Sequence, residues 1–276
     1  MLNYKMISEN AAVIDRRYRK AISQMRYLQS LCCSFLLFAL NAHAAWVEKE
    51  SRVEASAVAG LIHQHLVLEN SENGASATLE IARFSSKSCR LRLIDNPSGR
   101  SLAETATAAG CLAGVNGGYF DEDFVPLGGR VIDGKVIAPL RRARLFSGAI
   151  IAAGGSIQIV RNNEVGKIRK PAMALQCGPF LVDHAQRVAG LDDTRAARRT
   201  FAAVGTADQT ALGSCTDISL ADLSALLAGG IGNLKIQRAL NLDGGSSSGF
   251  WFKRKDGSVF SIPEEKSVRD FITIVR

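Results

Sequence analysis

The 276-residue chain lacks several patterns whose absence narrows its chemistry. Neither GxxxxGK(S/T) nor GxGxxG occurs, so the common nucleotide-phosphate loops are excluded. None of its cysteines stands in a CxxC or mixed Cys/His spacing, which argues against structural zinc. The formal charge is +8, yet there is no dense Lys/Arg face with interleaved aromatics, and nucleic acid gains no support as a partner. No internal repeat, linker or low-complexity segment divides the chain. Helical patterns are few, and the one strongly apolar stretch near the N-terminus, Leu28 to Leu40, falls short of the roughly 20 residues of a membrane span.

What is present at the N-terminus reads as a targeting segment. Arg16, Arg17, Arg19, Lys20 and Arg26 precede the apolar stretch, and Ala42-His43-Ala44 follows as a small-x-small cleavage site. The expectation is a signal peptide over residues 1–44, a protein secreted or periplasmic, and no stable membrane span after cleavage. Met25-Arg26 directly before the apolar stretch would make a more compact signal, so translation beginning at Met25 is a further expectation. Leu31-Cys32 lacks the small residue that precedes a lipidated cysteine. Four cysteines follow the segment, Cys89, Cys111, Cys177 and Cys215, and in an oxidising compartment up to two disulfides are expected, with unreadable connectivity.

Residues 45–276 read as one domain. From residue 58 onward short apolar runs alternate with Gly, Asp and Asn, the signature of many short strands. Hairpins are predicted over Val131–Ile137 around Asp133-Gly134, over Phe146–Val160 around Gly154-Gly155, and over Thr200–Cys215 near Asp208-Gln209. Helices are predicted over 101–109 and, more strongly, 219–229, where Ser219 caps, Gly229 stops, and Leu220, Leu223, Leu226 and Leu227 form one apolar stripe. The predicted class is α+β: a strongly twisted mixed sheet of many short strands with one or two packed helices.

Two segments share one design. Asn241-Leu242-Asp243-Gly244-Gly245-Ser246-Ser247 ends an apolar run in a carboxylate and a Gly-Gly-Ser turn, and Asn116-Gly117-Gly118-Tyr119-Phe120-Asp121 ends another in a similar way. Asp-Gly pairs form turns readily, so each is a turn or a site. Two such ends could face one cleft. Leu175 to Val182 is a strand interrupted by Gly178-Pro179, and Arg198-Arg199-Thr200 opens another, placing guanidinium groups at a strand end.

These motifs, in this order and with Gly128-Gly129 and Gly205 between them, resemble the phosphodiester glycosidase domain over roughly residues 58–276. That family includes N-acetylglucosamine-1-phosphodiester α-N-acetylglucosaminidase and bacterial exopolysaccharide-related envelope proteins. The chain departs from its pattern at Ser246, where a third glycine is usual, and at Lys266-Ser267-Val268-Arg269-Asp270, where Arg-x-Val-x-Asn often introduces the last strand. The resemblance implies hydrolysis between an anomeric carbon and a phosphate oxygen. A departing phosphomonoester, with a second pKa of about 6, needs little acid help.

On that reading Asp243 is the central carboxylate, as base or nucleophile, and Asp121 the reserve acid or base. Arg199 with the N–H groups of Gly117, Gly118, Gly178, Gly244 and Gly245 holds phosphate, and Thr200 stands beside it. Asn116 and Asn241 bind sugar hydroxyls or orient the carboxylate, while Tyr119 and Ser247 complete the pocket wall. No cofactor is expected; a divalent cation near Asp121, Asp123 and Asp243 is specified by no spacing. The expected partner is a phosphate-containing glycan or sugar-phosphate diester. Alternatives are a phosphodiesterase or phosphatase attacking phosphorus, and a non-catalytic glycan-binding module. Arg198, His63 and His65 are read as solvent-exposed, His184 as a surface turn residue, and Cys177 as a disulfide partner or inert thiol.

Overall fold

The computed structural model describes residues 46–143, 145–231 and 234–276. The predicted signal segment and its cleavage site lie outside these residues.

Three sheets form instead of one. The largest runs β1 (Trp46–Ala55), β2 (Ile62–Asn70), β3 (Ser76–Ser85), β14 (Gln209–Ile218), β13 (Ala197–Gly205), β15 (Ile236–Asn241), β11 (Phe180–Asp183) and β12 (Gln186–Arg187). A second is ordered β7 (Lys135–Ala138), β6 (Arg130–Ile132), β10 (Met173–Cys177), β8 (Gly148–Ala153) and β9 (Ser156–Arg161). The third is ordered β17 (Val259–Ile262), β16 (Phe250–Lys253), β5 (Ala113–Asn116), β18 (Asp270–Val275) and β4 (Arg90–Asp95). Among the described residues the strand ladders are antiparallel, which corrects the expected mixed sheet. Tight turns account for the sequential pairs such as β6–β7, β8–β9 and β13–β14, while pairs such as β3–β14 and β5–β18 are antiparallel across long connections. Asp133-Gly134 and Gly154-Gly155 both take positive φ at the predicted hairpin tips, and Ala207-Asp208 does so in the third hairpin.

The large sheet is buried on both faces, and its alternation shows which residue serves which side. In β3, Ala82 and Phe84 join a core that also holds Leu93, Val115, Leu175, Phe250 and Ile272 of the other two sheets. Ala77, Leu79 and Ile81 point the opposite way, toward Leu223 and Leu227 of helix α2 (Leu220–Gly229). Helix α1 (Leu102–Ala108) lays Leu102 and Ala106 on Trp251 and Phe271 of the third sheet. Both helices start where a serine accepts from the third backbone N–H, and Ser101 completes a capping box with Glu104. Ser101→Ala should cost about 1 kcal/mol, read as a lowered urea midpoint at unchanged slope.

Two sequence expectations need correction here, the disulfides and the exposure of His63. The four cysteines are buried and unbridged: Cys89 and Cys177 pack between the sheets, Cys111 beneath α1 and Cys215 on the α2 side. Burial pushes the Cys177 and Cys215 thiols far above their ordinary range, so Cys177 is an inert buried thiol. His63 is buried, not exposed: its Nε2 lies 2.6 Å from Glu80, while Phe250, Phe252 and Phe260 surround the ring. His65 shares the same carboxylate at 2.7 Å, and among the described residues no His/Cys/Asp/Glu group is arranged to hold a metal ion. Strand β1 escaped prediction because its mostly exposed residues carry charge rather than an apolar run. His184, at positive φ and largely exposed, sits in the turn expected of it.

Candidate functional site

The two Gly-Gly segments meet. Asn241 ends strand β15, Leu242 closes on Thr200 through a 2.8 Å backbone bond, and Asp243 N donates to Gly117 O at 3.1 Å. Asn116, at the end of β5, donates from Nδ2 to Asp243 O at 2.7 Å and accepts at Oδ1 from Thr200 Oγ1 at 2.7 Å and Gly249 N at 3.1 Å. A fully buried asparagine thus ties three segments that are far apart in sequence to the backbone of one aspartate. Both Asn116 and Thr200 act by positioning it.

Tyr119 and Asn241 build the adjoining wall. Tyr119 OH donates to Gly178 O at 2.7 Å and accepts from Asn241 Nδ2 at 3.0 Å. Asn241 Nδ2 also donates to Leu242 O at 2.7 Å. Burial, above all, holds the Tyr119 phenol well above its ordinary pKa, so it remains a neutral donor.

The glycines of this cluster are places where no side chain fits. A Cβ on Gly117 would fall 1.9 Å from Asp270 Oδ1, and one on Gly118 would fall 2.9 Å from Leu175 and 3.0 Å from Arg130. On Gly178 it would meet Leu145 O at 2.6 Å, and on Gly244 Arg198 O at 3.0 Å. Gly245 instead carries φ +63° with open space beyond, and opens the single 3-10 turn Gly245–Ser247.

Asp243 is half-buried within this frame. Its Oδ1 accepts from Gly244 N at 2.9 Å. Burial raises its pKa, against the lowering effects of the Ser247 hydroxyl, the Gly244 N–H and the Lys266 ammonium. Although Ser247 lies close enough to act on that charge, its Oγ completes no well-formed hydrogen bond. Asn241 Oδ1 and Ser248 Oγ are likewise buried without partners. Three buried polar atoms without partners thus gather in one eight-residue stretch.

One cation acts on the carboxylate and a second packs beside the Gly244 backbone. Arg199 packs along Gly244, with Nε donating to Ile218 O at 3.0 Å and one terminal nitrogen to Arg195 O at 2.7 Å. Its other terminal nitrogen has no hydrogen-bond partner among the described residues. Lys266 lies with Nζ 5.0 Å from the Phe120 ring centre and acts electrostatically on Asp243. Lys266 was visible in the sequence only as a departure from the family's arginine. Arg198, expected in solvent, is only 20% exposed: it pairs with Glu265 at 2.7 Å, and bonds Ser248 O and Pro263 O. Together with Glu265 N donating to Ser246 O at 2.8 Å, it fastens the Gly-Gly-Ser turn to the segment that carries Lys266.

Beneath the site lies a fully buried ion pair that sequence reading missed, Arg130 and Asp270. Asp270 Oδ1 accepts from Gly118 N at 2.8 Å, and Arg130 donates to Gly128 O and Tyr119 O, each at 2.9 Å. Burial pushes the Asp270 carboxyl upward, opposed by Arg130 and the Gly118 N–H. Asp121 stands apart: it is exposed, and its Oδ1 accepts from Val125 N at 2.8 Å within its own loop.

Comparison with known proteins agrees with this geometry. The chain resembles in fold the catalytic domain of zebrafish N-acetylglucosamine-1-phosphodiester α-N-acetylglucosaminidase auto-inhibited by its pro-peptide. The TM-score is 0.63 at 15% identity, covering 83% of this chain and 89% of that one. A Burkholderia pseudomallei K96243 protein gives 0.56 at 13% identity, covering 75% of each chain. A hypothetical protein from Synechocystis gives 0.51 at 14% identity, covering 79% of this chain and 62% of that one. A search of curated proteins finds no match. The phosphodiester glycosidase family pattern matches residues 109–275, taking in both Gly-Gly segments, the Gly178 interruption, Arg199 and Lys266, and the chain belongs to the phosphodiester glycosidase family.

Proposed function

We propose that this protein is an exported hydrolase that cleaves the anomeric C–O bond of a sugar-phosphate diester in an envelope or extracellular glycan, with Asp243 as its central carboxylate. The observation that carries this reading is the Asp243 cluster: a half-buried carboxylate where the two Gly-Gly segments meet, with the Lys266 ammonium acting on it and Arg199 packed beside the Gly244 backbone. Family membership supports the reaction class. The apolar stretch Leu28–Leu40 supports export, and no helix among the described residues is long and apolar enough to cross a membrane.

The chemistry follows from the charges. Ionised Asp243 takes a proton from water as the water oxygen bonds to the anomeric carbon, or bonds to that carbon itself and is later released by water. In either course the C–O bond breaks toward phosphorus, and its electron pair leaves on a phosphomonoester. Arg199, Lys266 and the Gly244–Gly245 turn offer positive charge and N–H donors to those oxygens. Asn241 and Ser247 are buried behind the carboxylate and hold the strand end and turn that carry it. The test is release of free sugar from methyl α-N-acetylglucosamine 1-phosphate diester by the purified protein; absence of sugar from this and from UDP-N-acetylglucosamine would count against the reading.

A pH dependence follows as well. The active form of Asp243 is the anion, and burial raises its pKa, so kcat/KM should fall as pH drops through a value above the ordinary aspartate pKa of about 3.9. Ser247→Ala removes an interaction that lowers this pKa and should move the acid limb further up. A pH–rate profile checks both; a limb at or below the ordinary value in wild type would contradict the assignment.

A further inference from the structure

A basic cleft opens beside the end of the strand that leads into Gly178. Leu140, Arg141, Arg142, Asn162, Asn163 and the end of Gln176 enclose about 490 Å3. Its floor is built with care. Gln176, 1% exposed, accepts at Oε1 from Gly129 N at 3.0 Å and Arg141 N at 2.9 Å, and donates from Nε2 to Arg141 O at 2.8 Å and Asn162 Oδ1 at 3.0 Å. That set of bonds fixes the backbone of the arginine loop against β10.

Among the described residues the Arg141 and Arg142 guanidiniums have no hydrogen-bond partner. Among the described residues neither guanidinium has a carboxylate within ion-pair distance. The nearby acids are committed elsewhere: Glu164 to Arg238 at 2.7 Å, and Asp183 to Arg161 at 2.8 Å and Arg238 at 3.0 Å. Two uncompensated guanidiniums over a rigid amide floor, with the Asn162 and Asn163 amides on the rim, make a receptor for a multiply charged oxyanion carrying hydroxyls. The cleft also adjoins the Asp243 cluster. Asn162 Nδ2 donates to Phe146 O at 2.5 Å, the Phe146 ring lies 6.2 Å from that of Tyr119, and Gln176 is two residues from Gly178.

We propose that this cleft is an accessory subsite that binds a second anionic group of an extended substrate, and that the protein therefore acts on an oligomeric or polymeric anionic glycan. The substrate part of this inference rests on the reaction proposed above; the anion site does not. Because one linked anion raises the effective concentration of the next, occupancy of the cleft favours long chains over single diesters.

The experiment compares wild type, R141Q/R142Q and D243N. Calorimetric titration with tripolyphosphate should show binding to wild type and D243N and about 10-fold or greater weakening in R141Q/R142Q. Hydrolysis of the methyl diester should stay within about twofold in R141Q/R142Q, whereas kcat/KM on an oligomer of sugar 1-phosphate repeats should fall about 10-fold. Equal tripolyphosphate affinity in R141Q/R142Q and wild type, or equal loss on both hydrolytic substrates, overturns the subsite. Loss of binding to phosphatidylglycerol vesicles with tripolyphosphate affinity intact also overturns it, and makes the arginine loop a lipid-facing surface. If wild type hydrolyses nothing yet loses tripolyphosphate with the two arginines, the reaction proposal fails while the anion site stands.

Discussion

Asp243→Asn should lower kcat on a sugar-phosphate diester by about 10²- to 10⁴-fold while leaving the protein folded. The substitution removes the negative charge and changes almost nothing else. Asp243 is held in place by its backbone, through Gly117 O and Asn116 Nδ2, and no ion pair is made by its carboxylate among the described residues. An amide oxygen can still accept from Gly244 N. Thermal unfolding should therefore stay near wild type, since burial resists the charge that the substitution deletes. Turnover within a few-fold of wild type would remove Asp243 from the chemistry.

Arg130→Ala should give the largest loss of stability, about 3–5 kcal/mol, because it strands the Asp270 carboxylate in a fully buried place. The loss should spread into the site. Asp270 holds Gly118 N and Gly117 N through its side chain and backbone, and Gly117 O receives Asp243 N. Removing the guanidinium also frees Tyr119 O and Gly128 O, so the backbone beneath and beside Asp243 loosens. Arg130→Met with Asp270→Asn should recover part of the stability, since the asparagine keeps an acceptor for Gly118 N without a buried charge. Urea unfolding measures all three proteins. A single variant within about 1 kcal/mol of wild type would show that the pair does not support the fold.

What could be read in the sequence was local. The hairpin tips carry Asp-Gly and Gly-Gly pairs, whose tolerance of positive φ is a property of those residues alone. The helices announced themselves by Ser101 and Ser219 at their starts and by the leucine stripe of α2. The two Gly-Gly ends were recognisable singly, and their order made the family resemblance legible. Partnerships across the sheets were not. Arg130 and Asp270 are separated by most of the domain, and nothing near either residue signals that both are buried. His63 looked exposed because alternation in β2 suggests a two-faced strand with one wet side, whereas β16 and β17 cover that face with phenylalanines. The disulfide expectation failed for a related reason: an even cysteine count speaks of compartment, while the core places each thiol among apolar neighbours. Arg198 was read as solvent-exposed and Arg199 as a phosphate holder, and each meets backbone carbonyls, Arg198 across the Gly-Gly-Ser turn and Arg199 beside it.

The central claim is that the bond broken lies between the anomeric carbon and oxygen. Arg199 and Lys266 would serve an attack on phosphorus equally well, so charge alone does not separate the two reactions. Hydrolysis of methyl α-N-acetylglucosamine 1-phosphate diester in water enriched with heavy oxygen does. The account predicts label in the released sugar and none in the methyl phosphate; label in the phosphate product, with unlabelled sugar, would contradict it.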